Sequence, residues 1–240
     1  MIRGVQKKPS ASTKNTIKTM LNQMLDYAVE YELVDRNYSR TFNLSKDVFE
    51  ELHTTKKEHM AYTDLEISLF WKNAGELYFA DLVLIQSYSG WRPIELLSLT
   101  LENIDLKEGT MRGGAKTKAG KERVVPIHSK IVPLVQKCYE DAQRVRSPYL
   151  FYQAKTGNEI RKLVYDTYRN GLNNLFAALN INSAHRPHDG RKTFVTMAKR
   201  YNVDEYALKY MVGHNISDIT ERIYTERTLV WLKEEIEKIK

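Results

Sequence analysis

The sequence predicts a mainly α-helical protein carrying one small antiparallel β-sheet. Three observations predict it. Ile17, Met20, Leu21, Met24, Leu25, Ala28, Val29 and Leu33 recur at the spacing of one apolar helical face. The stretch from 77 to 89, LYFADLVLIQSYS, is apolar almost all round, as a central core helix is. Residues 101–128 break the helical period and carry turn and β-branched signals instead.

The first helix is capped by Ser12 or Asn15 and ends at Asn37, and residues 35–60 read as a polar linker. One long helix and a linker cannot bury an apolar stripe, so residues 1–55 are expected to be part of a domain, with 56–240 a second one. The second opens on Thr63-Asp64-Leu65-Glu66, a capping box. Gly90 ends the apolar helix, and Pro93 is suited to the first turn of a short one. Lys107-Glu108-Gly109-Thr110 is a turn between two strands, and Arg123-Val124-Val125-Pro126-Ile127 supplies a third. Helices are expected over about 129–143, 161–179, 188–201, 203–212 and 226–238.

Composition narrows the function. The 240 residues hold 37 Lys+Arg against 30 Asp+Glu, a net charge of +7, which favours an anionic partner without naming one. A single cysteine, Cys138, supports neither a disulfide framework nor zinc-finger spacing, so a reducing, cytoplasmic setting is expected. No run approaches the ~20 apolar residues of a membrane span, and MIRGVQKKPSAS lacks the apolar stretch of a signal peptide.

The Gly- and Lys-rich loop Gly113–Lys121 fails the P-loop pattern. Ala115 stands where its first glycine belongs, and Glu122 follows Lys121 where Ser or Thr is needed. It reads as a basic hairpin tip: either a solvated turn, or a tip that carries a lysine to a phosphate. Three further stretches are unusually polar. Arg92 follows the most buried helix and has Glu95 as an available partner. His188 and Arg191 share a face at a helix start, where a phosphate is favoured. His214 follows the helix stop Gly213, and Tyr224 lies ten residues on. Taken singly, each has an ordinary structural explanation: an ion pair, a cap, a surface aromatic. His188-Asp189 is also similar to the metal-binding pair of a phosphohydrolase family, but no carboxylate cluster accompanies it and no metal or cofactor is expected.

Together, Arg92, Lys116, His188, Arg191, His214 and Tyr224 resemble, in order and spacing, the signature of the tyrosine recombinase (phage integrase) family. The matching text is Ser89-Gly90-Trp91-Arg92-Pro93-Ile94-Glu95-Leu96, Lys116-Thr117 before Arg123-Val124-Val125-Pro126, His188-Asp189-Gly190-Arg191, Gly213-His214 and Ile223-Tyr224-Thr225. It covers about 60–226, and residues 12–38 are similar to the last helix of the family's core-binding domain. The resemblance implies the family's catalytic fold and breakage and rejoining of double-stranded DNA through a 3′-phosphotyrosyl link. Arg92 and Arg191 would bind the scissile phosphate, Tyr224 would attack it, His188 would be the base and His214 a hydrogen-bond donor. Lys116 would protonate the leaving oxygen, with Lys118 a close second. Glu95 would orient Arg92, and Lys118, Lys121, Arg123 and Lys192 would contact DNA.

The resemblance also implies a tetramer on paired DNA sites, formed from a chain that is monomeric when free, and an origin in a mobile element or prophage. Lys192-Thr193-Phe194 departs from the family, where many relatives carry a histidine before Thr-Phe. Only about 50 residues precede the catalytic region, so the chain resembles a fragment, and a DNA-binding module without strand cleavage is the alternative. A type IB topoisomerase is a mechanistic neighbour. The segment 226–240, with Leu229, Trp231, Leu232, Ile236 and Ile239, either packs on its own domain or docks on a neighbouring subunit, and the sequence does not separate the two.

Overall fold

The computed structural model describes residues 11–42, 59–114, 120–154, 159–216 and 228–240. The chain divides into two compact units, Met1–Glu58 and His59–Lys240. In the first, helix α1 (Ala11–Glu30) is followed by a 3₁₀ turn, Tyr38–Arg40. A polar seam ties the two together. The Asn37 side chain donates to Asn22 O and Asp26 Oδ1 at 2.8 and 2.7 Å, and Arg40 Nε donates to Asp26 Oδ1 at 2.9 Å. Asn37 therefore does not end α1 as expected. The helix stops at Glu30, Glu32 turns to positive φ, and Asn37 caps the 3₁₀ turn instead. On the other side of α1, Ile17, Met20, Leu21 and Met24 are 42–63% exposed among the described residues.

The second unit is built around α3 (Tyr78–Ser87), whose residues from Ala80 to Ser87 are all buried. The helices α2 (Asp64–Lys72), α5 (Val132–Arg144), α6 (Tyr165–Leu179) and α7 (Asp189–Arg200) pack on it. The expected capping box starts α2: Thr63 accepts from Glu66 N, and Glu66 accepts from Thr63 N. Between α3 and α5 lie the short α4 (Pro93–Leu96) and an antiparallel sheet in the order β1 (Ile104–Asp105), β2 (Thr110–Gly113), β3 (Arg123–Pro126). Ile104 and Val125 both pair with Met111, which is fully buried.

A second, two-stranded sheet, β4 (Tyr152–Ala154) with β5 (Ile160–Lys162), is a difference from the expected single sheet. Three-residue strands are too short to display a period of two, so Ile160–Lys162 merged with the helical pattern of α6. Helix α8 (Glu205–Val212) and the final helix α9 (Leu229–Ile236) complete the unit. Among the described residues no helix is long and apolar enough to cross a membrane.

The C-terminal segment packs on its own domain. Leu232, Ile236 and Ile239 join the core cluster. The buried His128 accepts from Lys130 N through Nδ1 and donates from Nε2 to Ile239 O at 2.8 Å. Ser129 N and Oγ both donate to the Glu237 carboxylate at 2.6 Å. Ile236→Ala is expected to cost about 2–5 kcal/mol by urea unfolding, the range for emptying a buried isoleucine site. A loss well under ~1 kcal/mol, typical of surface changes, would mean that the segment does not occupy this place in solution.

Candidate active site

The site begins where α3 ends. Gly90 sits at φ +70, and a Cβ there would lie 2.4 Å from the Phe194 ring, so only glycine lets the chain turn here against α7. Two residues on, Arg92 caps α4 with Pro93 in its first turn. Its Nη1 donates to Glu95 Oε1 at 3.0 Å and its Nη2 to Gly213 O at 3.3 Å. Arg191, in the first turn of α7, donates from Nη1 to Gly90 O at 2.8 Å and from Nη2 to Val212 O at 2.7 Å.

Arg123 completes a cluster. Its Nη2 donates to Glu95 Oε2 at 2.7 Å, its Nη1 to Gly120 O at 2.9 Å and its Nε to Met211 O at 2.9 Å, while its guanidinium lies 4.0 Å from the centroid of Trp91. Met211, Val212 and Gly213 are the last residues of α8 and its cap, and each of their carbonyls takes one arginine. A helix leaves its final carbonyls without intrahelical partners at the negative end of its dipole, so it is a natural seat for guanidinium groups. Gly213, at φ +65, ends the helix, and His214 follows directly.

Two guanidinium groups, those of half-buried Arg92 and buried Arg123, share the carboxylate of Glu95, and buried Arg191 adds a third positive charge nearby. Burial raises the Glu95 carboxyl, but hydrogen bonding and charge from Arg123 and Arg92 outweigh it and hold its pKa below the ordinary value. The excess positive charge falls on the neighbours. Burial, then the charges of Arg92 and Arg123, bring the Arg191 pKa down to about 10. Burial and then Arg191, Arg92 and Arg123 depress that of His214. Among the described residues the site holds more positive than negative charge, which suits a phosphate.

His188, at the cap of α7, lines a cleft of about 430 Å³ together with Arg92, Glu95, Ser98 and Asn103. Below it lies a chain of hydrogen bonds that sequence reasoning missed. Buried Asp189 binds His185 Nδ1 through Oδ2 at 2.9 Å and His59 Nδ1 through Oδ1 at 3.0 Å, and His185 Nε2 is 3.2 Å from Glu66 Oε1. The His59 ring lies 5.4 Å from that of His188. The four-residue spacing of His185 and Asp189 was a readable signal, whereas His59 and Glu66 are far away in sequence.

Burial lowers the His185 pKa, but the hydrogen bond to Asp189 and the charges of Glu66 and Asp189 raise it overall. A raised histidine contributes stability that is fully present below its unfolded pKa of ~6.5 and is lost as the pH climbs through the folded value. His185→Gln is therefore expected to destabilise the chain more at about pH 6 than at about pH 9 in urea titrations. An equal loss at both would mean that His185 is held neutral.

The structure brings Arg92, Glu95, His188, Arg191 and His214 to one face of the second unit. Lys121 and Lys192 are exposed, as a backbone contact requires. Arg123, expected on DNA, is 2% exposed with its donors committed to Glu95, Gly120 and Met211, so it belongs to the interior. Lys116, Lys118 and Tyr224 lie outside the described residues. Among the described residues no group of three His, Cys, Asp or Glu side chains is placed to hold a metal ion.

The phage integrase family model matches residues 43–229. The tyrosine recombinase XerD of Vibrio vulnificus strain YJ016 is 28% identical over 153 residues, covering 61% of this chain and 48% of the relative. The integrase of Staphylococcus phage L54a is 22% identical over 258 residues, covering 89% and 71%. The chain thus spans about half the length of the XerD relatives it matches. Among solved structures, the Tn1549 transposon integrase in complex with circular intermediate DNA superposes with a TM-score of 0.68 at 21% identity, covering 95% of this chain and 79% of that one. XerA recombinase follows the same fold with a TM-score of 0.54 at 20% identity, covering 95% and 83%.

Proposed function

The chain belongs to the phage integrase family, and from that membership we propose that it is a site-specific DNA recombinase that cuts and rejoins double-stranded DNA through a 3′-phosphotyrosyl intermediate. The observation that carries this reading is the gathering of Arg92, Arg191 and His214 at the end of α8, where the described residues hold more positive than negative charge.

A phosphodiester repels anionic nucleophiles, and attack on it gathers charge on the non-bridging oxygens. Arg92 and Arg191, permanently charged and held by carbonyls before substrate arrives, stabilise that charge without reorganisation. His214, whose pKa is lowered by burial and then by its cationic neighbours, donates a hydrogen bond to the same oxygens. The Tyr224 hydroxyl attacks phosphorus, His188 accepts its proton, and the bond to the 5′ oxygen breaks. Lys116 delivers a proton to that oxygen, with Lys118 the alternative donor. The phosphate ester is conserved on the tyrosine, so the reverse attack by a 5′-hydroxyl rejoins DNA without a nucleotide cofactor.

Lys121 and Lys192 hold the DNA backbone, residues 1–55 supply part of the clamp around the duplex, and residues 56–240 hold the chemistry. Four protomers on paired sites complete a recombination cycle. The transposon and phage origins of two relatives support a mobile element or prophage as the source. The alternative reading is DNA binding without strand cleavage.

Incubation with a library of nicked duplexes in EDTA, followed by denaturation and sequencing of attached DNA, separates the two. The recombinase reading expects a covalent adduct at a defined site. Salt-dependent binding with no adduct leaves only the second.

A further inference from the structure

Arg123 and Arg92 grip opposite oxygens of one carboxylate, 2.7 Å from Oε2 and 3.0 Å from Oε1 of Glu95. Arg123 also holds Met211 O, while Arg92 and Arg191 hold Gly213 O and Val212 O, so one helix end carries all three guanidinium groups on adjacent carbonyls. Arg123 is buried beneath Trp91, the residue that precedes Arg92. Resting on the strand-cleavage reading above, we propose that Arg123 is a positioning residue: it fixes Glu95 and the end of α8, and through them aims Arg92 at the scissile phosphate.

The physical case is a matter of degrees of freedom. Without Arg123, Glu95 Oε2 keeps only the long 3.3 Å bond from Arg92 N, and the carboxylate loses its tie to the end of α8. Arg92 then keeps its ion pair but loses its orientation. A guanidinium misplaced by an ångström loses much of its worth to the transition state, and such errors cost about 10²-fold in rate. Lysine at 123 keeps the charge that Glu95 needs, yet one ammonium on a flexible stem cannot reproduce a rigid fork to a carboxylate and two carbonyls.

The test compares Arg123→Lys with the parent chain on a nicked site with an ordinary scissile phosphate and on the same site with a neutral methylphosphonate. The methylphosphonate lacks the oxygen charge that Arg92 meets. The expected result is a covalent-adduct rate reduced about 10²-fold on phosphate, with most of that loss gone on methylphosphonate, as for the benchmark Arg92→Lys. A structural role alone lowers both rates equally, and that outcome, with Arg92→Lys still relieved, overturns the proposal. Glu95→Gln cuts the same connection from the other side at nearly constant volume. It is expected to show the same relief, and provides the comparison should Arg123→Lys not fold. Failure of the underlying reading looks different, because the parent chain then forms no adduct on either substrate.

Discussion

The Tyr224→Phe chain is expected to bind DNA with the affinity of the parent and to form no covalent adduct. Phenylalanine keeps the ring and removes the oxygen proposed to displace the 5′ oxygen. In the proposed mechanism binding rests on Arg92, Arg191 and the exposed lysines, none of which the substitution replaces. The adduct rate is expected to fall by on the order of 10⁴-fold or more, as when a nucleophile is lost from other enzymes that form covalent intermediates. Gel separation under denaturing conditions measures the adduct, and fluorescence anisotropy at two salt concentrations measures the binding. An adduct that persists in Tyr224→Phe would reassign the nucleophile and sink the phosphotyrosyl mechanism. Loss of binding together with the adduct would instead make Tyr224 part of the fold.

Much of this site was readable because its geometry is local. Gly90 stops one helix and Pro93 starts the next, so Arg92 is placed within four residues of chain by rules that any sequence obeys. Gly213 does the same for His214. The core helix from 78 to 87 was readable because it is apolar all round. What failed depended on contacts between distant residues. Arg123 closes a lysine-rich loop and therefore read as a solvated, DNA-facing charge. Its partners, Glu95 and Met211, are 28 and 88 residues away, and no local pattern signals them. His59 and Asp189 meet across 130 residues. The small sheet of β4 and β5 was missed for the opposite reason, since three residues carry too little periodicity to be seen.

Arg191→Met is expected to separate activity from stability. Arg191 is buried, and its pKa of about 10 reflects burial and the like charges of Arg92 and Arg123. A depression of that size corresponds to about 3 kcal/mol spent on keeping it protonated in the fold. Methionine removes that cost and fills similar space, but it strips Gly90 O and Val212 O of their donor, at about 1–3 kcal/mol for each buried acceptor left unmade. At the middle of that range the two acceptors cost about 4 kcal/mol against about 3 recovered, so the unfolding free energy should fall by about 1 kcal/mol. Catalysis has no such compensation. A preorganised donor on a developing oxyanion is worth about 10²–10³-fold in rate, and Arg191 brings two N–H groups and a full charge. The adduct rate should therefore fall by at least about 10²-fold in a protein that melts close to the parent temperature. Retention of the rate would remove Arg191 from the phosphate site. A loss of several kcal/mol would mean that its two carbonyl bonds, and not its unneutralised charge, are why an arginine stands there.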